Sequence, residues 1–74
     1  MKLNPGDLLS IKPQYVYIPI WGEFGDDRER RYLGTFNNKQ LAIYLGKEGR
    51  DIKIALDGRI VYADRKHLWR TSPQ

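Results

Sequence analysis

Residues 41–63, LAIYLGKEGRDIKIALDGRIVYA, decide the fold, because two separate turns in them place the same apolar side chains on one face. Asp57-Gly58 between alternating apolar residues is the strongest short-range hairpin signal a sequence offers. A two-residue turn there sets Leu56 opposite Arg59, Ile54 opposite Val61 and Ile52 opposite Ala63. A turn at Lys47-Glu48-Gly49-Arg50 sets Leu45 opposite Ile52, Ile43 opposite Ile54 and Leu41 opposite Leu56. Leu41, Ile43, Leu45, Ile52, Ile54, Leu56, Val61 and Ala63 then share one side of a three-stranded meander. A slip of one residue sends half of these to water, so the pattern specifies its register.

Outward from the meander, Asn4-Pro5-Gly6-Asp7 reads as an opening turn. Leu8–Lys12 reads as a short strand halted by Pro13. In Gln14–Ile20, Val16, Ile18 and Ile20 alternate with Tyr15, Tyr17 and Pro19, and Pro19 confines the piece to an edge or a loop arm. Residues 21–40 show no apolar period and read as a long irregular connection that is functional, ordered by its own side chains, or partly mobile. Trp21, Phe24, Tyr32 and Phe36 argue for partial order, and an aspartate start admits a short helix over Asp26–Tyr32. After the meander, Ala63–Trp69 reads as one helical turn capped by Asp64 and anchored by Leu68 and Trp69. Arg70-Thr71-Ser72 reads as a closing strand.

The expected fold is therefore all-β, a five-stranded SH3-like barrel with a long, irregular first arm and a single 3₁₀ turn before the last strand. It occupies residues 1–74 as one domain, with 21–40 as the long loop. Partial closure answers the edge problem of so small a sheet. Through Pro5-Gly6-Asp7, Asp57-Gly58-Arg59 and Asp64–Trp69, the chain resembles the small SH3-like proteins of unknown role encoded by tailed bacteriophages. More loosely it resembles KOW and Tudor-type barrels, departing from the KOW pattern where Lys12-Pro13-Gln14-Tyr15 and a longer arm follow the first strand. The resemblance implies an intracellular binding module without catalysis.

A chain of 74 residues makes one small domain, and a core of that size rarely supplies more than about 3–5 kcal/mol. Cysteine is absent, which leaves no disulfide framework and no thiolate metal site. No apolar run approaches the roughly 20 residues that cross a bilayer. These features predict a soluble, cytoplasmic protein with no membrane partner. Residues 1–37 carry five basic and five acidic side chains, whereas residues 38–74 carry eight basic and four acidic. The whole net charge of +4 thus lies in the second half, as a face for an acidic partner or as a solubility feature.

Catalytic chemistry has little to use. His67 is the only histidine, so any nucleophile–histidine pair depends on it alone. Asp26, Asp27 and Glu29 match no calcium loop and are interleaved with Arg28, Arg30 and Arg31. The chain reads as a non-enzyme without cofactor or metal.

Two surfaces have binding composition. In the arm, Tyr15, Tyr17, Trp21, Phe24 and Tyr32 supply anchors for a host or viral protein, with Arg28, Arg30 and Arg31 as the rim. Trp69 is expected instead as a core plug. On the outer face of the meander, Tyr44, Lys53 and Tyr62 form a row suited to stacking on bases and meeting phosphate. Lys47, Arg50, Arg59, Arg65, Lys66 and Arg70 extend it. The bland alternative is that tyrosines simply suit strands. Protein contact through the arm leads, nucleic-acid binding follows, and a structural place in a larger assembly comes third.

Overall fold

The computed structural model describes residues 2–22 and 31–71. The expected Asp26–Tyr32 helix therefore falls mostly outside the described residues. Among the described residues there are seven strands: β1 (Leu8–Ile11), β2 (Tyr17–Trp21), β3 (Tyr32–Asn37), β4 (Ala42–Glu48), β5 (Asp51–Leu56), β6 (Arg59–Asp64) and β7 (Leu68–Arg70). A single 3₁₀ turn, Arg65–His67, precedes β7. The strands form one antiparallel sheet in the order β3-β2-β6-β5-β4-β1-β7.

All-β architecture and the 3₁₀ turn follow the expectation, but the strand count does not. In the described part of the arm, Tyr17–Trp21 pairs with Tyr32–Asn37, adding two strands. The sheet is also not closed, since β3 and β7 end it on either side. Pro19 is tolerated in β2 because the second neighbour, β6, joins only at Trp21.

The sheet is nonetheless rolled. On a flat sheet β1 and β2 would lie four strand spacings apart, about 19 Å. Lys12–Val16 must bridge them, yet it spends its length on a turn closed by the Tyr15 N–H to the Lys12 carbonyl at 3.0 Å. One apolar cluster accordingly takes side chains from all seven strands, including Leu9, Ile11, Ile18, Ile20, Phe36, Ile54 and Leu68. The opening turn docks on β4, with the Gly6 N–H donating to the Tyr44 carbonyl and the Tyr44 N–H to the Asp7 carbonyl, each at 2.8 Å.

The β5–β6 hairpin has the expected register: Leu56 faces Arg59, Ile54 faces Val61 and Ile52 faces Ala63. Asp57 and Gly58 have φ of 52° and 77°, the two positive values of the primed turn that matches strand twist. At the other end, Gly49-Arg50 closes a two-residue turn between Glu48 and Asp51, with Gly49 at φ 62°. The expected turn was four residues long.

The expected faces of β4 are reversed. From the turn, Lys47 faces Ile52 and Gly46 faces Lys53; the register then shifts so that Tyr44 faces Ile54 and Ile43 faces Ala55. Without that shift the same ladder would set Leu45 against Ile54, with Leu41, Ile43 and Leu45 inside as expected. One extra residue, Leu45, exchanges the faces, as a β-bulge must. Ala42 and Tyr44 enter the core, and Leu41, Ile43 and Leu45 stand outside.

The edges of the remaining elements also differ in detail. Asp64 caps the 3₁₀ turn by accepting from the Lys66 N–H at 3.1 Å, as expected. Leu68 is the plug under this turn, while Trp69 is 46% exposed and donates its indole N–H to Ser10 Oγ at 3.1 Å. Trp69 is thus a surface residue rather than a core plug. Ile18 and Ile20 are buried, but Val16 lies before β2 begins and is exposed.

Candidate functional site

Antiparallel partners share a face, so the register identifies what the outer side of the sheet displays. Leu8 pairs with Ile43, Ile43 with Ala55, and Ala55 with Ile60. This sets an apolar row across β1, β4, β5 and β6 on the side away from the core. Leu8, Ile43 and Ile60 are each exposed. Leu41 and Leu45 flank Ile43 along the chain, and Trp69 stands beside Ser10, two residues from Leu8. These six account for most of the large apolar side chains that the described residues expose.

A second row runs alongside. Gly46 pairs with Lys53, Lys53 with Tyr62, Tyr62 with Trp21, and Trp21 with Tyr32. Trp21 and Tyr32 meet edge to face, with ring centroids 5.7 Å apart. Tyr32 and the neighbouring Arg31 are exposed, as is Tyr17 at the far end of the ladder; Trp21 is half-buried, and Tyr62 is only 5% exposed. The arm ladder thus joins the outer side of the sheet edge to edge, at Trp21 and Tyr62.

The expected protein anchors divide. Trp21, Arg31 and Tyr32 come together on that surface; Tyr17 is exposed at the far end of the same ladder, opposite Asn37, and Tyr15 packs against the core with its ring 4.9 Å from His67. Phe24, Arg28 and Arg30 lie outside the described residues, as do Asp26, Asp27 and Glu29.

The expected nucleic-acid row is not formed. Tyr44 is on the core side and 8% exposed, facing Ile54 rather than Lys53. Lys53 and Tyr62 do pair on the outer face, but the second open tyrosine is missing. Arg59 opens β6 beside the Asp57-Gly58 turn and Arg50 lies in the turn at the opposite end of the meander, Lys66 lies 3.9 Å from Asp64, and Arg70 lies 3.8 Å from Asp7.

A different grouping appears at the mouth of the rolled sheet. Lys2, Leu3, Tyr44, Lys47, Ile52 and Arg65 line a cleft of about 350 Å³. The bulge places Tyr44, Lys47 and Ile52 on the same inner side, and the chain leading into the opening turn adds Lys2 and Leu3. Arg65 uses one Nη1 hydrogen bond, 2.9 Å to the Leu68 carbonyl.

His67 is partly exposed, yet its Nδ1 is buried without a hydrogen-bond partner. No group of three or more histidine or carboxylate side chains gathers among the described residues, and no helix there is long and apolar enough to cross a membrane. Comparison with protein-family models, with curated proteins and with solved structures finds no match to this chain.

The outer apolar row and the cationic cleft were both missed in the sequence, for one reason. Each depends on which way β4 faces, and that is set by a single bulged residue. The Gly46 beside it, where an added Cβ meets nothing within 4 Å, is the one available signal.

Proposed function

We propose that the chain is a non-enzymatic, SH3-like binding module that grips a protein partner with the outer face of its sheet and the adjoining arm. The order of strand, arm, meander, 3₁₀ turn and closing strand supports the SH3-like part of this reading. The observation that carries the functional part is the exposed row Leu8–Ile43–Ala55–Ile60, extended by Leu41, Leu45 and Trp69. Monomeric proteins rarely leave such a contiguous apolar face uncovered, and interface centres have this composition. Trp21 and Tyr32 add aromatic anchors at one border. Lys53 and Arg31 lie beside them, so the fitting partner is a protein surface with an apolar centre and carboxylates at its rim. In the setting that the phage resemblance implies, that partner is a host or viral protein.

The test places a photo-cross-linking residue at Ile60 and purifies the protein it captures in cells. The purified partner should bind the wild-type chain and lose about tenfold or more in affinity on Ile43→Asp, which puts a charge into the centre of the contact. Lys39→Asp, outside both rows, should leave binding unchanged. Affinity that ignores Ile43→Asp, or a chain that cross-links only to itself, overturns the reading. Salt-sensitive binding to oligonucleotides that is lost on Lys53→Ala would replace it with nucleic-acid recognition.

A further inference from the structure

We infer that the cleft at the mouth of the sheet binds a small organic phosphate, with the phosphate among Lys2, Lys47 and Arg65 and the organic body against Leu3, Tyr44 and Ile52. This site is independent of the protein-contact face, since Tyr44, Lys47 and Ile52 belong to the opposite side of the sheet from Ile43 and Ala55. The charge pattern carries the inference. Three cations surround one cleft, and among the described residues no carboxylate lines it. Lys2 and Lys47 make no ion pair or hydrogen bond with any described residue, and Arg65 has committed only one guanidinium nitrogen, to a backbone carbonyl. Glu48 follows Lys47 and Asp51 precedes Ile52 in the chain, but these two are register partners on the other face.

Converging like charges over a low-dielectric wall repel one another and focus a positive potential into the cleft. A dianionic head relieves that repulsion better than a carboxylate, and its oxygens accept from several donors at once. The apolar half of the lining sets the second requirement. Leu3 and Ile52 offer nothing to a hydrated anion, so a bare phosphate leaves them unused. At about 30 Å³ per water-sized group, the volume accommodates roughly a dozen heavy atoms, the size of one ring bearing one phosphate.

Backbone amide spectra of the full chain, titrated with phenyl phosphate, benzoate and inorganic phosphate at low salt, test this. Phenyl phosphate should give saturable shifts at Tyr44, Lys47 and Ile52, with a Kd of about 0.1–1 mM. Benzoate, which keeps the ring with one charge, and inorganic phosphate, which lacks the ring, should each bind more weakly. Lys47→Gln should weaken phenyl phosphate about threefold or more, as expected for a partly exposed cation, and adding Lys2→Gln should weaken it further. Lys39→Gln removes the same charge elsewhere and should change nothing. No saturable shift at the lining residues overturns the inference. So does inorganic phosphate binding as tightly as phenyl phosphate, or Lys39→Gln acting as strongly as Lys47→Gln. Because Lys2 and Lys47 are exposed, thermal melts of these variants should match the wild type. Oligonucleotides enter as a further arm, and exclusive binding to them at these residues would also overturn the small-molecule assignment.

Discussion

Ala42→Val separates the observed register of β4 from the one its alternation suggests, because the two give opposite signs. Ala42 is 1% exposed and packed in the cluster with Leu9 and Tyr44. Two added methyl groups must displace close-packed neighbours, which costs about 1–3 kcal/mol. Had Ala42 faced water, the same change would replace a poor strand former with a good one and stabilise by up to about 1 kcal/mol. A core of this size rarely supplies more than about 3–5 kcal/mol, so the loss is a large fraction of it. With a urea slope near 1 kcal/mol/M, the midpoint should fall by about 1–3 M. Urea titration followed by far-ultraviolet circular dichroism reads it. Ile43→Thr is the companion: on the outer face, beside Leu8 and Ala55, it should cost less than about 1 kcal/mol. A neutral or stabilised Ala42→Val together with an Ile43→Thr that loses 2 kcal/mol or more, each read against the wild type in about the range of core substitutions, would refute the bulge.

Three further outcomes are expected. Gly58→Val should cost about 2 kcal/mol or more by thermal melting, because φ of 77° excludes a β-branched residue, whereas Gly58→Asn should cost clearly less. Asp64→Ala should lose about 1 kcal/mol of chemical stability through the cap on the Lys66 N–H, and Asp64→Asn should keep most of it. Equal losses in those two variants would assign the effect to the ion pair with Lys66. His67→Phe keeps the ring against Tyr15 and removes a buried nitrogen without a partner, so the melting temperature should hold or rise by a few degrees, at about 4–8 °C per kcal/mol. A fall of that size instead would mean that Nδ1 is bonded in solution.

The parts of the fold that were legible in the sequence are those fixed by local chemistry. Asp57-Gly58 has one comfortable geometry in a hairpin, and it carried the β5–β6 register with it. Asp64 could be read as a cap because its side chain meets a backbone N–H two residues away. Leu45 could not be read, since a bulge depends on the partner strand and leaves the apolar alternation of β4 unchanged. That one residue moved Tyr44 inward to the cleft and removed the Tyr44–Lys53–Tyr62 row, while the two-residue turn at Gly49-Arg50 set Lys47 facing Ile52. The arm looked irregular because Pro19 and the glycines around it weaken a strand signal, while the β2–β3 ladder joins segments far apart in sequence. Trp69 looked like core by its size alone. It is held instead at the surface by Ser10, through a pairing of β1 with β7 that no local pattern encodes.

The functional reading stands on the face that Leu45 turns outward, and methyl-to-aromatic nuclear Overhauser contacts report that face directly. In a carbon-13-labelled chain, the Ile43 methyls should show contacts to Leu8 and Ala55, and the Tyr44 ring to the Ile52 and Ile54 methyls inside. Contacts from Ile43 to Ile54 or Leu56, with the Tyr44 ring reaching Lys53, would contradict the account. They would return the apolar row to the core.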